Sequence, residues 1–267
     1  MNSYEQKQFE AIAEWEKKEP SILQKTTSTV MKPIEWCANK IIPQKAIQQA
    51  LKFSNYAASK LADKNDIIRD GKVGCLFELK TKDLKLSDNL ANDIHKWAIA
   101  LAGTEGGVCG YFGLPGMVVD IPMIITFALR TIHKIGLCYG YEANTLEDNQ
   151  FVYSVLSAAG ANTMKEKNMA LLTLKQLQVL VSKKTWKKIA ETAASKTLGN
   201  EAMIITIKSL AKQLGINLTK RKIMQGIPLI GAGVGAAMNV GFIDDISCAA
   251  KRCFQKRWLL DNKKIPD

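Results

Sequence analysis

Histidine and closely spaced cysteine pairs are scarce in this chain, and their scarcity argues against several kinds of site. The 267 residues include two histidines, His95 and His133, and six cysteines with no CxxC pair. Neither histidine neighbours a cysteine at metal-ligand spacing, so we expect no metal site and no cofactor. The amino terminus has no apolar secretory core. We therefore expect reduced thiols and a cytoplasmic protein.

Signature motifs of common enzyme classes are also missing. The chain contains no GxxxxGK[ST], HExxH or GxSxG pattern and no kinase motif set. The glycine-rich run GYFGLPG follows no credible strand, which makes it a weak dinucleotide signal. His133 and Cys138 lie five apart on one predicted helix, where their side chains diverge, so a thiol dyad is not expected. The absences favour a protein that is not an enzyme.

Proline is infrequent and low-complexity tracts are absent, which excludes extensive disorder. Seven prolines and 47% hydrophobic residues are typical of a chain with a full core. Apolar residues recur at helical spacing and no run of alternating strands is visible, so we predict an all-α fold in a single compact multi-helix domain. The predicted divisions are an amphipathic extension at 1–25, the helical domain at 26–260 and a tail at 261–267.

Periodicity and breakers place the first helices. One amphipathic helix ends before Pro20, and another starts after Pro43. Residues 70–86 break the pattern and are predicted to be a loop. Ser87 with Asp88 is typical of the start of the next helix. The apolar face of the helix after Pro43 is predicted to contain Ile47, Leu51, Tyr56, Ala58 and Leu61.

Two long segments contain almost no charge. Residues 106–129 hold only Asp120, and residues 223–243 hold no charged side chain. Each is long enough to cross a bilayer, which takes roughly 20 residues, but both are rich in glycine and alanine and contain proline. Glycine costs about 1 kcal/mol per helical position relative to alanine, so its frequency at 103–116 indicates close backbone packing. The segments form either a buried core hairpin or an element that inserts into, or lies on, a membrane.

The end of the first segment predicts one long helix. Asp120 is expected to cap it, with Pro122 in its first turn, and the helix should run to about Cys138. Gly140 is a candidate for the left-handed residue that ends it. Arg130 lies about 15 Å along the axis from Asp120, too far for an ion pair. A buried Arg130 would need another acid or a bound anion.

Positive charge is concentrated in the last part of the chain. Residues 1–164 hold 18 Lys/Arg and 18 Asp/Glu, whereas residues 165–267 hold 19 and 7, which accounts for the whole net charge of +12. Such an asymmetry favours an anionic partner, although a solvated basic surface is the alternative. Aromatic residues among the cations suit a lipid headgroup interface. The candidate anionic-surface residues are Lys183, Lys184, Lys187, Lys188, Lys220, Arg221, Lys222, Lys251, Arg252, Lys256 and Arg257.

Several of these runs resemble a known family. GLPGMVVDIP at 113–122, YGYE at 139–142 and IPLIGAGVGAAMN at 227–239 are together similar to the motifs of EcsC proteins, over roughly residues 30–258. The resemblance implies a helical bacterial protein without assigned catalytic residues and favours a membrane-proximal role. By resemblance, the recurring motif positions are Asp120, Pro122, Arg130, Tyr139, Gly140, Gly231, Gly235 and Asn239.

Together these patterns predict a non-enzymatic, membrane-associated helical accessory protein, peripheral to the inner face of the cell membrane. Its basic C-terminal part would bind anionic lipid or a membrane protein. One alternative is a soluble, hydrolase-like enzyme with a pocket near Asp120, Arg130 and His133. Another is a module that docks an acidic protein. Nucleic acid is not expected, because no recognised binding motif accompanies the charges. The sequence leaves the oligomeric state open.

Overall fold

The computed structural model describes residues 1–20, 44–103, 120–184, 206–214 and 231–266. Within these ranges the chain is helical and contains no strand, which confirms the all-α prediction. A 3₁₀ helix spans Leu76–Lys80, and residues 206–214 are also helical. The remaining helices are α1 (Ser3–Lys17), α2 (Gln44–Leu61), α3 (Lys64–Asp70), α4 (Leu84–Gly103), α5 (Asp120–Cys138), α6 (Leu146–Ala159), α7 (Met164–Lys184) and α8 (Gly231–Asp261).

Helix α5 is the centre of the fold. Nearly every side chain from residue 123 to Cys138 is buried, because α2, α4, α6 and α8 all pack against it. Thr126 and Thr131 direct their hydroxyls to backbone carbonyls one turn back, at 2.7 and 2.9 Å, and this satisfies polar groups that have no water to bind. An apolar helix can therefore be surrounded by other helices.

Helix α8 has 31 residues, so it is about 46 Å long, and it lies against α4, α5 and α6. It packs on α5 at Gly136, where a Cβ atom would lie 2.7 Å from Phe254 Cζ. At Gly103 on α4, a Cβ would lie 3.4 Å from Val240 Cγ2, which is an ordinary van der Waals distance. A missing side chain is therefore required for close contact with α8 at Gly136, outside the 103–116 stretch, and the one described glycine of that stretch could carry a Cβ.

The two uncharged segments are only partly described. Residues 120–129 form the first half of α5, and residues 231–243 form the first part of α8, so both are helical where the structure describes them. Residues 106–119 and 223–230 lie outside the described ranges. Among the described helices, none is long and apolar enough to cross a membrane.

The apolar face of α2 differs in part from its prediction. Ile47, Leu51 and Ala58 are fully buried, as expected. Tyr56 is 67% exposed and lies on the side of the helix opposite Ile47, while Leu61, the last residue of α2, is 39% exposed. Three of the five predicted positions therefore lie in the core.

The start of α4 is also different from the prediction. The helix begins at Leu84, and Asp83 precedes it, accepting the Lys85 N–H at Oδ1 (3.2 Å). The Ser87 N–H donates to the Asp83 carbonyl (3.2 Å). Ser87 and Asp88 thus lie in the first turns of α4, and both are fully buried. Local capping preference identified the right region, but Asp83 satisfies the free N–H groups there.

Helix α6 has two acids, Glu147 and Asp148, in its first turn. Thr145 caps α6 and accepts the Asp148 N–H, while the Asp148 carboxylate accepts from Thr145 N and Oγ1. This reciprocal arrangement satisfies two of the free amides at the helix start. Acids at this end also complement the helix dipole.

Candidate functional site

Asp88 is a buried carboxylate that joins several parts of the chain. Its carboxylate is fully buried and accepts hydrogen bonds from the hydroxyls of Tyr4 (2.7 Å) and Tyr139 (2.5 Å). Gln255 Nε2 donates to both carboxylate oxygens at 2.8 Å. These residues come from α1, α4, the end of α5 and α8, so one carboxylate ties together four parts of the chain. We call these four residues the Asp88 junction.

The junction keeps its tyrosines protonated. Burial raises the pKa of Tyr139 well above its ordinary value, and the adjacent Asp88 charge raises it further. Burial also raises the pKa of Tyr4, and its hydrogen bond to Asp88 adds to the effect. Protonated hydroxyls that donate to a carboxylate form strong, charge-assisted bonds. The arrangement is therefore suited to holding helices together.

Tyr139 and Gly140 owe their geometry to the end of α5. Gly140 has φ = +81°, and its N–H donates to the Leu137 carbonyl at 2.9 Å, while the Tyr141 N–H donates to Gly136. This is a Schellman ending, as the sequence predicted for Gly140. A Cβ at Gly140 would lie 2.9 Å from the Leu76 carbonyl oxygen, so glycine is required both for the backbone angle and for space.

Arg130 is buried on α5. Its Nε donates to the Leu61 carbonyl at 3.1 Å, and its guanidinium lies 4.7 Å from the centre of the Trp97 ring. Both contacts help to compensate for the removal of the cation from water. The carbonyl that Arg130 binds is at the end of α2, where carbonyls lack helical partners and a cation is favourable. The structure thus gives Arg130 two partners that the sequence argument did not consider.

His133 lies one turn further along α5 and is kept neutral. Its Nε2 is 2.9 Å from Asn55 Oδ1, and Asn55 Nδ2 donates to Asn149 Oδ1 at 2.6 Å. Burial lowers the pKa of His133 to about 4. His133 also borders a small cleft that Arg257 and Glu142 line. The hydrogen bonds of His133 and Asn55 hold α2, α5 and α6 together.

The other motif positions are described to different extents. Asp120 is the first residue of α5, but the structure does not describe its side chain. The Pro122 carbonyl accepts from Ser54 Oγ at 3.1 Å, which fastens the start of α5 to α2. Gly231 begins α8, and Gly235 and Asn239 follow on the same helix, with side-chain surroundings outside the described part.

The basic run at 251–257 faces the rest of the protein. Lys251 donates to Asn92 Oδ1 (2.7 Å), and burial lowers its pKa. Arg257 is buried, pairs with Asp148 at 3.1 Å, and has its guanidinium 4.2 Å from the centre of the Tyr141 ring. The geometry gives these two cations structural partners within the fold.

Arg252 and Lys256 contact α1 instead. Arg252 Nη1 donates to Gln8 Oε1 at 3.0 Å, and Lys256 pairs with Glu16 at 2.6 Å. Lys183 and Lys184 end α7 with undescribed side chains, and Lys187, Lys188, Lys220, Arg221 and Lys222 lie outside the described residues. The structure therefore places Arg252 and Lys256 against α1, and it does not describe the side chains of the seven candidate cations between 183 and 222.

An exposed basic and aromatic surface occurs on α2, and the sequence patterns did not predict it. Phe53 is 70% exposed and Tyr56 is 67% exposed. Lys45, Lys52 and Lys60 are also exposed, and α2 contains no acid. At 100° per residue these positions fall within an arc of about 100°. We call these five residues the α2 outer face; the absence of acid from 44–61 was the signal that could have revealed it.

A metal centre is not visible in the described ranges, where no three His, Cys, Asp or Glu side chains cluster as ligands would. Cys75, Cys138, Cys248 and Cys253 are free thiols, and Cys37 and Cys109 lie outside the described part. Burial raises the pKa of Cys138 and of Cys253, which makes both poor nucleophiles.

Comparison with known proteins agrees with the motifs. The chain is similar to the uncharacterized protein YdbA of Bacillus subtilis (strain 168), with 22% identity over 189 residues. The aligned region covers 71% of this chain and 64% of YdbA, so the chain spans less than two thirds of that relative. No solved structure matches. A model of the EcsC protein family matches residues 6–259, which include most of α1 and three residues of the Asp88 junction, Asp88, Tyr139 and Gln255. The chain belongs to the EcsC protein family.

Proposed function

We propose that the protein is a non-enzymatic accessory protein that binds peripherally to an anionic membrane surface on the cytoplasmic side. The observation that supports this most strongly is the α2 outer face. Exposed aromatic rings next to lysines are typical of helices that lie in the headgroup region, because the ring enters the interface while the cation stays with lipid phosphates.

The inner side of α2 explains why this face can remain exposed. Ile47, Leu51 and Ala58 already anchor the helix in the core, and Tyr153 donates to the Leu51 carbonyl at 3.3 Å. Phe53 and Tyr56 are therefore not needed to hold α2 in place. Large aromatic side chains that stay in water at this exposure are favoured where another surface covers them.

The charge on the face sets the expected strength. Each lysine beside an anionic bilayer contributes about 1 kcal/mol, so Lys45, Lys52 and Lys60 together contribute about 3 kcal/mol. That corresponds to about a hundredfold in the partition coefficient. Because the contact is electrostatic and open to water, binding should weaken as the salt concentration rises.

Sedimentation with phosphatidylcholine vesicles, with and without phosphatidylserine, tests the proposal. We expect the wild type to bind only the anionic vesicles. Replacing Phe53 and Tyr56 by Ser should abolish most of this binding. The matched control is Met169→Ser with Leu172→Ser, an exposed apolar pair on α7 at 60% and 57% exposure.

The lysines have their own control. Lys45, Lys52 and Lys60 changed to Gln should release the protein from anionic vesicles, whereas the same change at Lys72, Lys82 and Lys85, which are also exposed, should have a small effect. Equal binding to neutral and anionic vesicles, or equal losses in the two lysine sets, would contradict the proposal. Salt-sensitive co-purification with one acidic protein and no vesicle binding would point to the docking alternative.

A further inference from the structure

Helix α1 lies on α8 as an acidic strip on a basic one. Its residues and the three that follow include five glutamates, against three lysines. The side of α8 and the segment after it that face α1 present Arg252, Lys256 and Lys264. We call these three residues the cationic strip.

Specific contacts join the two surfaces. Lys256 Nζ lies 2.6 Å from Glu16 Oε1, and Lys264 Nζ lies 3.5 Å from Glu5 Oε1. Gln8 Oε1 accepts from Arg252 at 3.0 Å. Each cation of the strip therefore has a partner on α1, and α1 occupies the positions that the oxygens of another anion would take.

The interface combines polar and apolar contacts. Ile12, 2% exposed, is the one fully buried apolar side chain of α1, while Tyr4, Phe9 and Trp15 pack at the edge of the core. The Tyr4 hydroxyl also donates to Asp88, so this hydrogen bond must break when α1 leaves α8. Lys167 adds a polar contact at the other end, since it donates to the backbone carbonyls of Trp15 and Lys18. Polar interfaces within one chain allow the parts to separate more readily than large apolar ones do.

We propose that the cationic strip is a second contact for anionic lipid, and that α1 covers it until the two surfaces compete. The inference rests on the proposed membrane role and adds the surface and its control. Lysine and arginine bind lipid phosphates through the same charge-assisted hydrogen bonds that they form with glutamate. A bilayer that offers many anionic groups can therefore replace α1 on α8.

The first test compares two double variants that change the net charge of the protein equally. Glu5→Gln with Glu16→Gln removes the two ion pairs, and glutamine at position 5 retains the capping box of α1. Glu10→Gln with Glu14→Gln changes the net charge equally on the exposed side of α1. We expect the first pair alone to raise amine labelling of Lys256 and Lys264 by mass spectrometry. It should also raise the partition onto phosphatidylserine vesicles by about fivefold for each uncovered cation.

Ile12→Asp gives a second test in which net charge and uncovering act in opposite directions. The variant adds a negative charge, which by itself weakens binding to anionic vesicles, yet it should release α1 and strengthen that binding. Gln6→Asp adds the same charge on the exposed side and should bind more weakly. Arg252→Gln, Lys256→Gln and Lys264→Gln combined with Ile12→Asp should remove the gain.

The outcomes separate this inference from the proposed function. If labelling of the strip lysines rises without any gain in vesicle binding, the strip does not bind lipid. If labelling is unchanged both in Glu5→Gln with Glu16→Gln and in Ile12→Asp, α1 does not cover the strip. If the gain in vesicle binding persists in combination with Phe53→Ser and Tyr56→Ser, the strip binds lipid independently of the α2 outer face. If the wild type bound through α2 but neither variant gained, the proposed function would stand and this inference would fall.

Discussion

Replacing Asp88 by Asn should destabilise the protein by about 3 kcal/mol. The carboxylate accepts from Tyr4, Tyr139 and Gln255 at 2.5 to 2.8 Å, and hydrogen bonds to a charged group contribute about 1.5–3 kcal/mol each. Asparagine keeps one accepting oxygen, but its amide N–H₂ would face groups that are themselves donors. The cost is therefore more than one charged hydrogen bond and less than all of them.

Tyrosine variants divide this cost between partners. Tyr139→Phe removes one donor at a fully buried site and should cost about 2 kcal/mol, whereas Tyr4→Phe, on the partly exposed α1, should cost about 1 kcal/mol. Because Asp88 and Tyr139 share a bond, the double variant should cost about 1.5 kcal/mol less than the sum of the single variants.

Urea unfolding followed by far-ultraviolet circular dichroism measures these differences. The neighbouring Ser87→Ala is the control: Ser87 is equally buried, but its hydroxyl has no hydrogen-bond partner among the described residues. Its removal should be neutral or stabilise by up to about 1 kcal/mol. The reasoning would be refuted if Ser87→Ala cost as much as Asp88→Asn, or if Tyr139→Phe changed stability by less than about 0.5 kcal/mol.

Three further predictions concern other contacts. Burial lowers the pKa of His133 to about 4 in the folded protein, whereas the unfolded chain takes up this proton near pH 6.5. The free energy of unfolding should therefore fall by about 2 kcal/mol from pH 7.5 to pH 5. His133→Gln should make the urea midpoint vary less with pH over that range. Gly136→Ala should lower the free energy of unfolding by about 2 kcal/mol, since its Cβ would overlap the packed Phe254 ring. Arg257→Gln, in a buried ion pair, should cost about 3 kcal/mol of unfolding free energy, whereas Arg69→Gln, at an exposed pair, should leave stability nearly unchanged; equal costs would contradict this.

The sequence predicted elements whose causes are local. The span of α5 follows from an uncharged run with Pro122 near its start and Gly140 past its end, and each of these acts on the backbone within a few residues. The acidic first turn of α6 was predictable for the same reason. The rules for helix starts and ends depend on residues that are close together in the chain, so they can be applied to a sequence without knowledge of the tertiary structure.

Asp88 shows where the same rules fail. A capping preference placed it at a helix start, whereas its partners are 84, 51 and 167 residues away along the chain. Nothing in the spacing of polar residues within 84–103 distinguishes a buried carboxylate from a solvated one. Burial of a charge depends on which helices meet there, so the residue that joins four parts of the fold was read as a local signal.

The basic C-terminal part illustrates the same limit for charge. An excess of +12 in residues 165–267 is a fact about order along the chain, and a bundle does not preserve that order in space. Lys256 and Lys264 meet Glu16 and Glu5 from the other end of the chain. The face of α2, which lies in the neutral part, instead projects three lysines into water with no acid on the helix. A membrane surface responds to the charge it meets, so we expect α2 to make the first contact with anionic lipid, and the C-terminal cations to follow only after α1 has left them.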